Sequence, residues 1–254
     1  MLRGFPSLSS LTLSNNPLGD AGVTALSDAL VAGGAPQLSQ LRLRSVAMRR
    51  AGLKAFAAAL ASIPLLTVLD VSGNGFGDEA ARVLAGSLRH TPALTALFAR
   101  GNLIAESGIS ALADALLTAT PLLEKLDLRY NRIGDPGAMA LAHTFSAGLR
   151  SLTGLDIASA EIRAAGARAL RTALPSLPAL AQVATSGNPL GEEEAVALAK
   201  TIAGMESVVD LEADCCSLKD AARLAVQRAR AACRARSSAT KSSGVTATGS
   251  GAPA

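Results

Sequence analysis

Large apolar residues recur along this chain in blocks of near-constant length. A pattern L-x-x-L-x-L-x-x-N-x-L begins at Leu8, Leu38, Leu66, Leu94, Leu123, Leu152, Leu180 and Val208, in steps of 30, 28, 28, 29, 29, 28 and 28 residues. Eight units therefore cover about residues 8–230. A fixed period in this range is the mark of a repeat architecture.

Within each unit the apolar period changes. In the third, Leu66, Leu69 and Val71 take one side of a short strand, and Asn74 and Phe76 follow. Gly77-Asp78 then reads as a turn into a helix. Six units carry an acidic residue there: Asp20, Asp78, Glu106, Asp135, Glu192 and Asp220. Each is expected to cap the helix it opens and to complement its dipole. Ten residues past the Asn position stand Leu26, Phe56, Leu84, Leu112, Leu141, Leu170, Leu198 and Val226. Four residues later come Leu30, Leu60, Leu88, Leu116, Phe145, Leu174 and Ile202, on the same helix face. A Pro two residues before the strand pattern (Pro6, Pro36, Pro64, Pro92, Pro121, Pro178) stops the preceding helix from running on.

No unit can bury its own apolar face, so units must stack. Strands then pair in parallel about 4.8 Å apart, with the wider helices outside. The expected form is a curved solenoid with a strand-lined concave face.

The Leu ladder, Asn16, Asn74, Asn102, Asn131 and Asn188, and the Gly-Asp turns resemble the leucine-rich-repeat family in its ribonuclease-inhibitor-like subclass. Cys216 fits the same Asn-or-Cys position. The resemblance implies an α/β right-handed solenoid of about eight β-α repeats. Val46 and Ala160 depart from it and cannot make the side-chain bond that Asn makes. They are expected to be soft points, at about 1–3 kcal/mol per unpaired buried group.

Domain organisation follows from the same pattern. Residues 1–236 are expected to form the repeat domain, closed by a basic helix or cap between Arg223 and Arg236, because Arg230 breaks the apolar helix series. Residues 237–254, rich in Ser, Thr, Gly and Ala, are expected to be a disordered tail. Only seven residues precede the first strand pattern. A monomer is expected unless that open N-terminal edge self-associates.

Composition narrows the function. Apolar residues are 49% of the chain but aromatics only 2%, so the core must be Leu, Ala, Val and Ile. The net charge of +4 comes from Arg228, Arg230, Arg234, Arg236 and Lys241; through residue 227 there are 19 basic against 20 acidic residues. A nucleic-acid binder carries its excess on the folded body, so no nucleic acid is expected. Three Cys do not suggest a disulfide framework, the N-terminus lacks a signal-peptide pattern, and no apolar run of 18 residues occurs. Together these point to a cytoplasmic location without membrane insertion.

Little in the chain points to catalysis or to a cofactor. His90 and His143 lie away from the strands, Gly73–Gly77 is explained by the repeat's own turn, and Cys215, Cys216 and Cys233 lack the companions of a zinc site. Asp127 and Asp156 share one outward position on adjacent strands, the spacing of a retaining glycosidase pair. Lys125 and Arg129 flank Asp127, however, and an open sheet excludes no water.

Strand alternation places Arg42, Arg44, Phe98, Arg100, Lys125, Asp127 and Arg129 on the concave face, with Tyr130 at its rim. Asp156, Asp210, Glu212 and Asp214 follow towards its other end. An exposed aromatic flanked by charge marks contact surface. The expected function is a non-enzymatic protein-protein interaction module or scaffold, without cofactor or metal, that holds a partner protein on these residues. Two alternatives follow from the resemblance: a regulator of a small GTPase, as in Ran GTPase-activating proteins, or a recognition fragment of a larger nucleotide-binding receptor.

Overall fold

The computed structural model describes the backbone of residues 6–214 and 218–243, with side chains up to residue 238. Strands and helices alternate: β1 Ser10–Thr12, α1 Gly19–Val31, β2 Gln40–Arg42, α2 Arg50–Ala59, β3 Val68–Asp70, α3 Gly77–Ser87, β4 Ala96–Phe98 and α4 Glu106–Ala119. The second half continues with β5 Lys125–Asp127, α5 Gly134–Ala147, β6 Gly154–Asp156, α6 Ala164–Ala173, β7 Gln182–Ala184, α7 Glu192–Gly204, β8 Asp210–Glu212 and α8 Asp220–Ser243. The strands form one parallel sheet in chain order, so equivalent residues of successive units lie side by side. The fold is an α/β solenoid. Strands are about 4.8 Å apart and helices about 8–10 Å, a mismatch that bends the stack around the sheet.

The core lies between sheet and helices, and the ladder fills it. Leu38, Leu41, Leu66, Leu69, Leu94 and Leu97 are fully buried, as are Phe56 and Phe145 on the inner helix faces. In the first unit Leu8, Leu11 and Leu13 are only half-buried, because no strand flanks β1 on its outer side among the described residues.

The Asn ladder works between units. Asn188 Oδ1 accepts from the N–H groups of Ala160 and Ile162 in the preceding unit, and its Nδ2 donates to Ile157 and Thr185 carbonyls. Asn74 serves Val46 and Met48 in the same way. The expectation of soft points at Val46 and Ala160 is therefore corrected: their own loops are held by the next Asn. The side-chain acceptor is lost one unit earlier, at the loops of Asn16 and Asn131.

The expected acidic caps are corrected similarly. Asp20 Oδ1 accepts from Arg49 and Gly52 N–H at 2.7 and 2.8 Å, so it caps α2 and not its own α1. Asp135 caps α6 through Arg163 and Gly166 at 2.8 and 2.9 Å, Asp78 bonds Ala105 and Ser107 at the start of α4, and Glu192 bonds Lys219 ahead of α8. Asp20, Asp78 and Asp135 sit one residue inside their own helices and Glu192 opens its own, each pointing sideways at the next. The receiving helices open after an extended Arg49, Ala105 or Arg163 that has no capping side chain of its own. Glu106 and Asp220 make no such bond among the described residues.

Burial pushes the Asp78 carboxyl up, but bonds from Ser107, Ala105 and Gly108 and the charge of Arg82 outweigh it and leave the group below its ordinary value.

The helix α8 carries the basic segment and continues through Ser243, seven residues past the expected boundary at 236. Its Arg236 donates to the carbonyls of Val208 and Ala203, tying it to the last unit, and Cys233 is buried beneath it. The rest of the expected tail, with Cys215 and Cys216, lies outside the described residues. No described helix is long and apolar enough to cross a membrane.

Candidate functional site

The concave face is three rows of side chains running across the strands. The middle row reads Thr12, Arg42, Asp70, Phe98, Asp127, Asp156, Ala184 and Glu212. A second row beside it runs from Ser10 through Lys125, Gly154 and Gln182 to Asp210. The third, just past the strands, holds Arg44, Arg100, Arg129 and Asp214. The small residues Gly154 and Ala184 leave an open groove of about 350 Å³ between Phe98 and Lys125 at one end and Asp210 and Glu212 at the other.

At the groove's edge Asp127 and Asp156 share one cation. Arg129 Nε lies 3.2 Å from Asp127 Oδ2, and its Nη1 lies 3.1 Å from Asp156 Oδ2. Both carboxylates also accept the N–H two residues on, from Arg129 and Ala158. Burial raises the Asp127 carboxyl above its ordinary value; the Asp156 charge adds to this, while the Arg129 N–H and the guanidinium groups of Arg129 and Arg100 oppose it. The Arg129 guanidinium thus bridges the two carboxylates. Lys125, the other expected neutraliser, makes no ion pair among the described residues.

The adjacent Arg100 and Arg129 would repel, but each has its own partner. Arg100 stacks over the Tyr130 ring at 4.6 Å from its centroid. At the far end, Asp214 is paired with Arg230 of α8, so it joins the end helix rather than the groove. Arg42, Arg44, Asp210 and Glu212 form no ion pair among the described residues; Arg42 donates only to Gln40. The structure thus brings Phe98, Lys125, Asp127, Arg129, Asp156, Asp210 and Glu212 around one groove. Arg42, Arg44, Arg100 and Tyr130 lie beyond it, on the N-terminal side and at the rim. Sequence reasoning missed the groove's floor, because a Gly and an Ala look like weak strand positions. Comparing outward positions across units would have exposed them.

Among the described residues no three of His, Cys, Asp and Glu converge as metal ligands.

Comparison with known proteins agrees with this architecture. Residues 6–27, 62–85 and 121–142 match the family model described as Leucine Rich repeat. Over 89 residues, 34% of this chain, it is 39% identical to the ribonuclease inhibitor of Sus scrofa. A similar stretch is 38% identical to the NACHT, LRR and PYD domains-containing protein 5 of Homo sapiens. These matches span only 19% and 7% of those proteins' lengths. Among solved structures, leiomodin-1 actin-binding site 2 aligns with a TM-score of 0.53 at 16% identity, covering 63% of this chain and 92% of that one. The Caenorhabditis elegans tropomodulin C-terminal domain aligns at 0.50 and 16%, covering 64% and 98%. At such identities the likeness concerns the fold. The chain thus carries leucine-rich repeats, and the local identity to a ribonuclease inhibitor supports repeats of that protein's type.

Proposed function

We propose that this chain is a non-enzymatic interaction module that holds one partner protein along its concave sheet. The observation that carries the reading is the separation of unpaired charge. Arg42, Arg44 and Arg100 stand towards one end, Asp210 and Glu212 stand at the other, and no ion pair engages any of them among the described residues. Between the ends, Arg129 neutralises Asp127 and Asp156, while Asp70 and Lys125 form no ion pair among the described residues. The charges at the two ends fit a partner of opposite polarity, which they would steer and orient. The groove between them, with Phe98 at its wall, supplies apolar contact.

The test fills the groove without altering charge. A Cβ at Gly154 would meet only Gln182 and Lys125 side chains, at 3.7 and 3.8 Å, which is ordinary contact. The backbone thus accepts a Cβ there, and the larger side chain of Gly154→Ile would project into the open groove, with circular dichroism to check that the variant folds. Immobilised wild-type chain should retain a partner that Gly154→Ile loses; equal retention would refute the concave reading. Accelerated GTP hydrolysis by a small GTPase on addition of the chain would instead make it a catalytic regulator.

A further inference from the structure

Seven loops leave the sheet with the residue before the Asn position in the left-handed region. They are Asn15, Ser45, Gly73, Gly101, Tyr130, Ser159 and Gly187, at φ between 50° and 71°. Six of these are small or tolerate that conformation; Tyr130 is a bulky side chain for which it is an outlier. The strain returns little to the fold. Tyr130 is 53% exposed, and its ring lies against the Arg100 guanidinium. On the neighbouring loop Leu103 repeats the combination, at φ 58° and 55% exposed, where other units place Ala47, Gly75 or Glu161. The Leu103 side chain leans towards Gly75 of the preceding loop, so the exposed ring beside Arg100 is that of Tyr130, and Arg100 makes no ion pair among the described residues.

We propose that this rim docks a partner segment that presents a large apolar side chain next to a carboxylate. The apolar group lies on the exposed side of the Tyr130 ring, and the carboxylate takes the fork of Arg100. Strain held without packing gain belongs to contact sites, and Tyr and Arg are the usual anchors of interfaces. A polyanion such as nucleic acid laid along the same face would run into Asp210 and Glu212, so a single carboxylate is the better match. The proposal rests on the reading that the chain binds a protein, and it names that protein's chemistry.

The test uses the whole chain and two readouts. Tyr130→Gly relieves the strain and should raise the melting temperature by about 2–4 °C, a typical shift for a chain of this size. The probe is the peptide acetyl-Gly-Glu-Phe-Gly-amide, followed by backbone amide resonances. At about 1–5 mM it should move Arg100, Gly101 and Tyr130 in the wild type and leave the equivalent loop unmoved in Tyr130→Gly. The Lys-Phe version should bind at least about fivefold more weakly. A lower melting temperature would make Tyr130 a packing residue, and either equal response to both peptides or none would overturn the rim site. Gly154→Ile separates the two proposals: it leaves the peptide response intact while removing a partner held in the groove.

Discussion

Asp135 caps a helix to which it does not belong: its Oδ1 accepts the N–H of Gly166 at 2.9 Å, 31 residues further along the chain. A Cβ on Gly166 would lie 2.8 Å from that same oxygen. Asp20 with Gly52 and Asp78 with Gly108 repeat the arrangement, each at 2.7 Å. Helix α1 is thereby tied to α2, α3 to α4 and α5 to α6, so these repeats are bonded in pairs.

Asp135→Ala should lower stability by about 0.5–2 kcal/mol, the usual range for a lost cap. Gly166→Ala should also destabilise, although Ala is the better helix former. A Cβ on Gly166 would also meet Ala138 and Ile162 at 2.8 and 2.9 Å. Urea unfolding of the single and double variants should therefore show losses that are only partly non-additive, through the shared Asp135 contact.

The Asn positions should differ in weight. Asn188 is buried and serves the loop of Ala160 and Ile162, so Asn188→Ala should cost about 2–4 kcal/mol. Asn16 is exposed and bonds only carbonyls of its own loop, Leu13 and Ser14, so Asn16→Ala should cost about 1 kcal/mol or less. Thermal unfolding of the two variants under one condition tests the order.

Two carboxyl groups should titrate on opposite sides of 3.8. Asp78 is lowered in the folded chain, so its contribution to stability is present above its unfolded value and lost as pH falls through the folded one. Asp127 is raised, so its ionisation disfavours the fold above that value, and acid relieves this penalty. Carbon-13 carboxyl titration by NMR should find Asp127 protonating first as pH falls.

Much of this fold was legible because a ladder position is set by burial, and burial recurs with the period. Leu66, Leu69 and Val71 face inward as the alternation predicts, and Leu84 and Leu88 share the buried helix face. Relations between units were not legible. The Gly-Asp turn places Asp20 at a helix start, but only the register of α1 against α2 shows which N–H groups it reaches. The same holds for Asn74, whose bonds lie 26 and 28 residues back. At the concave face, alternation placed the charges but not their pairing. Arg129 could have turned to either neighbour, and only the sheet register brings Asp127 and Asp156 to it together. Asp214, by alternation a concave residue, is claimed by Arg230 because α8 folds back over the last strand.

A partner held along the concave sheet, as proposed, would contact both of its charged ends. Arg44→Glu and Glu212→Lys reverse one exposed, unpaired residue at each end, while Lys54→Glu with Lys200→Glu alters exposed helix positions on the convex side. Calorimetric titration of a captured partner should give each concave variant an affinity lower by about tenfold, about 1.4 kcal/mol, with the convex variant unchanged. Wild-type affinity in both concave variants, together with loss in the convex one, would place the interface on the helices instead of the sheet.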